Sequence, residues 1–143
     1  MLLDRQAIVV CSGRGGVPVM AVNGAGHTRR VEAVVDKDLT AALLARQLDA
    51  DVLLLLTDVA AVQDGYGTPA AHPIRRATPA ELLARNFPAG SMGPKIEAVC
   101  RFVEATGKLA AIGRLGDAQA LLAGQVGTLI APAQVAARSG RGV

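Results

Sequence analysis

Two lysines, each close to a predicted helix start, are the residues of this sequence best suited to chemistry. Lys37 lies between Asp36 and Asp38, and Lys95 follows the small-residue segment 90–94. Backbone dipoles at a helix start favour anions, and a lysine there adds a full positive charge. Two cations with an organising carboxylate suit a site that handles phosphoryl groups. Ordinary helix capping beside solvated lysines would account for the same residues, so both interpretations stay open on these segments alone.

A glycine loop directly after an apolar run is the second candidate, made of Gly13, Arg14, Gly15 and Gly16. Backbone amides in such a loop can approach phosphate or carboxylate oxygens closely. Pro18 stands where a dinucleotide-binding G-x-G-x-x-G needs its third glycine, and the loop lacks the Gly-Lys-Ser/Thr of a Walker A motif. A plain tight turn is the alternative.

The end of the most apolar run forms a third candidate, because Thr57 and Asp58 follow the leucines of residues 53–56. Ligands of open α/β sheets bind at the carboxyl ends of the strands. A strand exit with an Asx-type turn at Asp58 is the competing interpretation. His27 and His72 lie alone in predicted loops, so we assign them no role and predict no metal site.

The elements that must position these residues alternate between strand and helix. Apolar runs predict a buried strand over 7–11, a second extended segment over 17–22 and further strands over 51–57, 109–112 and 128–130. The run over 51–57 is apolar on both faces and is expected at the centre of the sheet. Residues 23–30 are expected to be a turn-rich loop, and 64–73 a loop or short hairpin. The pattern predicts an α/β three-layer sandwich with a mostly parallel sheet.

Helix signals are clearest at four places. Asp36 is the expected N-cap of a helix of about a dozen residues that packs through Leu39, Leu43 and Leu48. Thr78, Pro79 and Glu81 predict a capping box for a short helix. A further helix is expected after Gly93-Pro94, ending at a left-handed Gly107, and a small helix over 118–122. The apolar stripe of the helix that ends at Gly107 would contain Met92, Ile96, Val99, Cys100 and Val103.

Composition restricts the class of protein. The 143 residues are 51% hydrophobic but only 2% aromatic, which indicates one domain with an aliphatic core. The formal charge is +3 and no basic run interleaves with aromatic residues, which argues against nucleic-acid binding and allows an anionic small ligand. Cys11 and Cys100 are expected as reduced core residues. No membrane-spanning run or secretory signal is recognised, so a cytoplasmic location is expected.

Four ordered segments closely resemble the C-terminal half of the carbamate kinase family, within the amino-acid-kinase superfamily. The family's glycine loop ending in Pro-Val matches residues 13–19, and its Glu-Ala-Val-[Ile/Val]-Asp-Lys-Asp motif matches 32–38. Its Leu-Thr-Asp-Val strand exit matches 56–59, and Gly-Ser-Met-x-Pro-Lys-[Ile/Val]-Glu-Ala matches 90–98. The resemblance extends from Ala7 to Pro132. It implies a nucleotide-binding lobe over 1–132. Residues 133–143, by their own sequence, are expected to form a flexible tail.

The resemblance also implies a function: reversible phosphoryl transfer between ATP and carbamate, with Mg²⁺ accompanying the ATP or ADP. Lys37 and Lys95 would contact phosphoryl oxygens, Asp38 would hold the lysines in position, and residues 13–16 would form a phosphate or substrate loop. Carbamate or carbamoyl phosphate would be the second ligand. The adenine nucleotide would be framed by Thr57, Asp58, Tyr66, Gly67, Gly90, Ser91, Met92, Gly93 and Pro94.

Departures from the family pattern leave three hypotheses. Arg14 replaces a glycine, Ala60-Ala61 and Gln63 stand where the family more often has Asp-Gly and an aromatic, and the family's N-terminal half has no counterpart. The chain could be a kinase lobe that is incomplete alone, or a kinase completed by a partner chain. It could also be a non-catalytic nucleotide-binding or assembly module. Because half a sheet would expose apolar surface, we expect it to oligomerise.

Overall fold

The computed structural model describes residues 3–10, 17–22, 26–88 and 90–133. The glycine-loop residues 13–16, Cys11 and the tail after residue 133 lie outside this part of the chain. Two 3₁₀ turns span Leu3–Arg5 and Leu115–Asp117. The other elements, in chain order, are β1 (Val19–Val22), β2 (His27–Arg30), α1 (Lys37–Gln47), β3 (Val52–Thr57), β4 (Gln63–Asp64), β5 (His72–Pro73), β6 (Arg76–Ala77), α2 (Pro79–Leu83), α3 (Met92–Thr106), β7 (Leu109–Arg114), α4 (Ala118–Leu122) and β8 (Thr128–Ile130).

The central feature is a four-stranded mixed sheet with the order β3-β7-β8-β6. The pairs β3–β7 and β6–β8 are parallel, whereas β7 and β8 run antiparallel. Leu53 lies opposite Ala110 and Leu55 opposite Ile112, so their side chains share one face of the sheet. These four residues belong to the buried core. The predicted α/β class with a mostly parallel sheet is confirmed.

Helices cover both faces of β7. The face that carries Ala110 and Ile112 packs with α3, whose Val99 and Val103 are buried in the same core. Residues alternate across a strand, so Gly113 lies on the other face. There, a Cβ added to Gly113 would lie 2.6 Å from Leu121 of α4. The glycine therefore leaves the space into which α4 packs, and the helices enclose the sheet from both sides as the predicted layers require.

Two strand predictions are wrong. The segment predicted as a buried strand over 7–11 is not a strand in its described part, 7–10, and Ile8 and Val10 are 97% and 96% exposed. β3, expected at the centre, is an edge strand among the described residues. A continuous apolar run is buried only where other elements cover it. No described strand pairs with residues 7–10 or with the outer edge of β3.

The helix starts agree with prediction because they depend on neighbouring residues. Oδ1 of Asp36 accepts hydrogen bonds from the backbone N–H groups of Asp38 and Leu39, at 2.8 and 2.9 Å. Thr78 and Glu81 form the predicted capping box of α2. Gly107 ends α3 in the left-handed conformation, with φ of 68°. These caps confirm the starts of α1 and α2 and the end of α3.

The packing faces of the helices agree less completely. In α3, Ile96, Val99, Cys100 and Val103 are buried as predicted, although the helix begins at Met92 rather than after Pro94. In α1, Leu43 and Leu48 are exposed, while Leu39 and the small residues Ala41, Ala42 and Ala45 face the core. Alanines let α1 lie close to α3, which turns the two leucines outward. Their predicted core role is wrong.

Two short hairpins complete the described chain. β1 pairs with β2 antiparallel, so the part of the expected loop at His27–Arg30 is a strand. β4 pairs with β5, which confirms a short hairpin in the predicted region. The buried hydroxyl of Thr128 holds the base of this second hairpin: it accepts from the N–H of Val62 at 2.9 Å and donates to the carbonyl of Ile74 at 2.6 Å. Thr128 therefore holds together the two residues, Val62 and Ile74, that flank the hairpin at the core.

Candidate functional site

A cavity of about 410 Å³ opens where α1 and α3 begin and where β3 ends. This volume lies in the range of ordinary small-molecule sites. Its walls combine charged, small and aromatic side chains. They are formed by Asp36, Lys37, Asp38, Thr57, Asp58, Val59, Ala61, Gln63, Tyr66, Phe87, Pro88, Gly90, Ser91, Met92, Pro94 and Lys95.

One carboxylate oxygen joins the two lysines of the site. Nζ of Lys95 lies 3.0 Å from Oδ2 of Asp38, and Nζ of Lys37 lies 3.5 Å from the same atom. The side chains of Lys95 and Asp38 are only 13% and 10% exposed, whereas that of Lys37 is 57% exposed. The Lys95–Asp38 pair is thus partly shielded from solvent, whereas the Lys37 ammonium is largely exposed to it.

The two helices place these groups by different means. Asp36 caps α1, so Lys37 and Asp38 occupy its first turn. Hydrogen bonds from the Leu39 N–H, and then from that of Asp38, hold the pKa of the Asp36 carboxyl below its usual value of 3.8, and the nearby charges of Lys37 and Lys95 act in the same direction. At α3, the Ser91 side chain makes no capping hydrogen bond. The positive end of that helix therefore adjoins the cavity without a side-chain acceptor.

A tight loop sets the start of α3 against the cavity wall. The carbonyl of Pro88 accepts hydrogen bonds from the N–H groups of Gly93 and Ser91, at 2.9 and 3.2 Å. A Cβ on Gly93 would lie 3.0 Å from the same carbonyl oxygen. Glycine thus permits a close backbone approach that any larger residue would strain.

The structure brings most of the predicted site residues together. Lys37, Asp38, Lys95, Thr57 and Asp58 all line the cavity. So do Tyr66, Gly90, Ser91, Met92 and Pro94. Gly67 and Gly93 are not lining residues: Gly67 lies in the β4–β5 loop, and the N–H of Gly93 donates to the carbonyl of the lining residue Pro88. The predicted loop residues Gly13, Arg14, Gly15 and Gly16 lie outside the described residues.

Sequence reasoning missed part of the wall. Phe87 and Pro88 line the cavity, and neither carried a motif. One signal was present: the chain has only three aromatic residues, one Tyr and two Phe. Phe87 stands just before the small-residue segment 90–94, where an aromatic residue in a loop suggests contact with a ligand. Val59 of the strand-exit motif, and Ala61 and Gln63 at positions where the sequence departs from the family, also line the cavity.

The side chains of the cavity do not form a metal-binding cluster by themselves. Within the described residues, no cluster of three or more His, Cys, Asp or Glu could hold a metal ion. Three carboxylates and two ammonium groups nevertheless line the cavity. Asp38 pairs with both lysines and Asp36 caps α1, whereas Oδ1 of Asp58 accepts from the hydroxyl of Thr57 at 3.0 Å. The residues therefore suit a cation that arrives with an anionic ligand rather than a resident one.

The model of the amino acid kinase family matches residues 1–113. Two curated relatives are carbamate kinases. That of Rhizobium meliloti (strain 1021) is 52% identical over 130 residues, which cover 90% of this chain and 40% of that protein. That of Escherichia coli (strain K12) is 50% identical over 130 residues, which cover 91% and 42%. The chain thus spans about two fifths of the length of the curated relatives it matches.

A solved structure shows the same fold. Carbamate kinase from Giardia lamblia bound to AMP-PNP matches with a TM-score of 0.84 and 38% identity, over 92% of this chain and 47% of that one. The predicted resemblance to carbamate kinases is therefore confirmed.

Among the helices described here, none is long and apolar enough to cross a membrane.

Proposed function

The chain belongs to the amino acid kinase family, and we propose that residues 1–132 act as the nucleotide-binding lobe of a carbamate-kinase-type phosphotransferase. The proposed reaction is reversible phosphoryl transfer between ATP and carbamate, giving ADP and carbamoyl phosphate. One observation carries the proposal: two ammonium groups converge on Oδ2 of Asp38 at the wall of a ligand-sized cavity. The similarity to carbamate kinases supports the choice of substrates.

Fixed positive charge is the chief requirement of phosphoryl transfer, because the transferred group carries negative charge on its oxygens throughout. Lys95 is mostly buried and held by Asp38, so its ammonium is already oriented before a ligand binds. Pre-oriented charge in a partly shielded site stabilises a developing anion without further reorganisation. Lys37 is more exposed and would follow the phosphoryl group as it moves. Asp38 acts on the ligand through the lysines and is a positioning residue.

The rest of the cavity suits an adenine nucleotide. The uncapped start of α3 offers backbone partial charge to phosphate oxygens. Tyr66, Phe87 and Met92 provide flat or polarisable apolar surface for a base. Two of the chain's three aromatic residues thus line one cavity. That concentration favours a ring-bearing ligand over inorganic phosphate alone.

Charge balance favours a nucleotide that arrives with Mg²⁺. The lining side chains carry three carboxylates against two ammonium groups, so a polyphosphate would add negative charge to a wall that is already net negative. Asp58 is the residue that would face the ion, with water and phosphate oxygens as the remaining ligands. When bound, Mg²⁺ would neutralise phosphate charge. The chain's own residues would orient the nucleotide.

Titration of the chain with ATP and ADP, with and without Mg²⁺, tests the nucleotide part of the proposal. We expect Mg²⁺-dependent binding that Lys95→Ala weakens by about tenfold to a hundredfold, the loss typical of a hydrogen bond to a charged group. Lys108→Ala is the matched control, since Lys108 pairs with Asp49 and does not line the cavity. Absence of nucleotide binding, or equal losses in the two variants, would contradict the proposal.

Turnover of carbamoyl phosphate and ADP separates the catalytic hypotheses. Because the chain spans about two fifths of its curated relatives, turnover is expected only when the remaining part of the fold is also present, on the same polypeptide or on a partner chain. Turnover by the chain under dilution to a monomer would show that no partner is needed. Nucleotide binding without turnover under every assembly condition would favour the alternative, a non-catalytic nucleotide-binding or assembly module.

A further inference from the structure

We propose that the ion pair between Arg85 and Asp64 is a positioning link that holds two walls of the nucleotide cavity at a fixed separation. This inference deepens the proposed function and relies on it for the identity of the ligand. Neither residue lines the cavity. Their role is to set the relative placement of segments that do.

The first wall belongs to the β4–β5 hairpin. Gln63 and Tyr66 line the cavity, and Asp64 lies between them in sequence. Thr128 holds the base of the hairpin through Val62 and Ile74. Among the described residues, no buried side chain holds the part of the hairpin that carries Tyr66, where Thr68 makes only a local, exposed hydrogen bond to Gly65 and Tyr66 is 70% exposed. The carboxylate of Asp64 therefore offers a second point of attachment, nearer to the cavity.

The second wall begins two residues after Arg85, with Phe87 and Pro88. Arg85 itself follows α2, whose Leu82 is fully buried and whose start is closed by the capping box. Nε of Arg85 donates to the carbonyl of Glu81 at 3.2 Å, while Nη1 donates to Oδ2 of Asp64. The guanidinium therefore connects the capped and packed helix α2 to the hairpin.

The geometry joins the two walls across the sequence. Asp64 and Arg85 are 21 residues apart, and each lies within three residues of cavity-lining residues. The side chains of Arg85 and Asp64 are 34% and 40% exposed. Exposed pairs contribute little to overall stability. Loss of this link should therefore change the placement of Tyr66 and the affinity for nucleotide more than the stability of the fold.

Tyr66 provides a direct readout, because the chain has one Tyr and no Trp. In Asp64→Asn we expect the fluorescence anisotropy of Tyr66 to fall and its quenching by acrylamide to rise, with the denaturation midpoint nearly unchanged. The matched control is Glu97→Gln, which removes the exposed Glu97–Arg101 pair on α3 away from the cavity. Unchanged anisotropy in Asp64→Asn, or an equal fall in Glu97→Gln, would overturn the proposal.

Affinity for Mg²⁺–ADP is the second measurement. Asp64→Asn and Arg85→Gln should each weaken binding about fivefold, and the double variant should be no weaker than either single one, since all three lack the same link. Arg85→Lys, which keeps the charge, should recover part of the loss. Additive losses of affinity in the double variant would overturn the proposal that Asp64 and Arg85 form one link. Failure of the unchanged chain to bind nucleotide would overturn the proposed function, and Tyr66 anisotropy would still decide whether the link exists.

Discussion

Nζ of Lys95 donates to Oδ2 of Asp38 at 3.0 Å, joining the starts of two helices from positions 57 residues apart. Both side chains are largely shielded, yet both adjoin the cavity. The pair therefore serves stability and ligand binding together. A change in either residue should be measured for both effects.

Asp38→Asn should destabilise the fold, because it leaves a mostly buried ammonium without its carboxylate. The expected loss in free energy of unfolding is about 1–3 kcal/mol, moderated by the opening to the cavity. Replacing both partners, as in Asp38→Asn with Lys95→Met, should recover part of this loss. Urea denaturation of the three variants measures the coupling. Strictly additive losses would mean that the two side chains do not support each other.

Gly93→Ala should reduce nucleotide affinity with little change in stability. The new methyl would lie 3.0 Å from the Pro88 carbonyl and must displace it by a few tenths of an ångström. Alanine in a helix is favoured over glycine by ~1 kcal/mol, which offsets the strain. The wall at Phe87 and Pro88 should still shift. Gly116→Ala, where no atom lies within 4 Å of the added Cβ, is the control for titration and denaturation.

Thr128→Val should lower the free energy of unfolding, although valine has nearly the same size as threonine. The hydroxyl is fully buried and serves both the N–H of Val62 and the carbonyl of Ile74. Valine keeps the shape and removes both hydrogen bonds, so we expect a loss of about 2–3 kcal/mol in free energy of unfolding. Thr128→Ser keeps the hydroxyl and should lose less. If serine were the more harmful of the two, methyl packing rather than hydrogen bonding would hold the hairpin base.

Acid should weaken the start of α1. The pKa of Asp36 is lowered in the folded state, first by the hydrogen bond from the Leu39 N–H. A lowered folded pKa adds stability above the unfolded value of 3.8, and that contribution is lost as the pH falls through the folded pKa. Asp36→Asn should therefore flatten the pH dependence of stability below about pH 4. Denaturation midpoints between pH 2 and pH 6 measure this, and parallel curves for both proteins would contradict it.

Cys100 should be unreactive in the folded chain. Burial raises the pKa of its thiol to about 12, so the thiolate is scarce at neutral pH. Mass spectrometry after iodoacetamide treatment at pH 8 should find Cys100 unmodified until guanidinium unfolds the chain. Rapid labelling of Cys100 under native conditions would show that α3 opens readily.

The sequence by itself determined the features that depend on residues a few positions apart. The Asp36 cap, the capping box at Thr78 and Glu81, and the left-handed Gly107 each involve neighbours within one helical turn. The alternation of strand and helix likewise predicted the class of fold. Ordered motifs predicted the family, and most of the residues proposed for the site do line one cavity.

Only the tertiary structure decided which apolar surfaces are covered and which distant side chains meet. Residues 7–10 look like a buried strand, but Ile8, Val9 and Val10 are exposed, and the leucine-rich β3 lies at an edge of the sheet that the described residues form. Leu43 points outward because alanines occupy the close α1–α3 contact. The Arg85–Asp64 link and the double role of Thr128 carry no sequence motif. Burial and long-range hydrogen bonding depend on what packs against a residue, and local sequence does not contain that information.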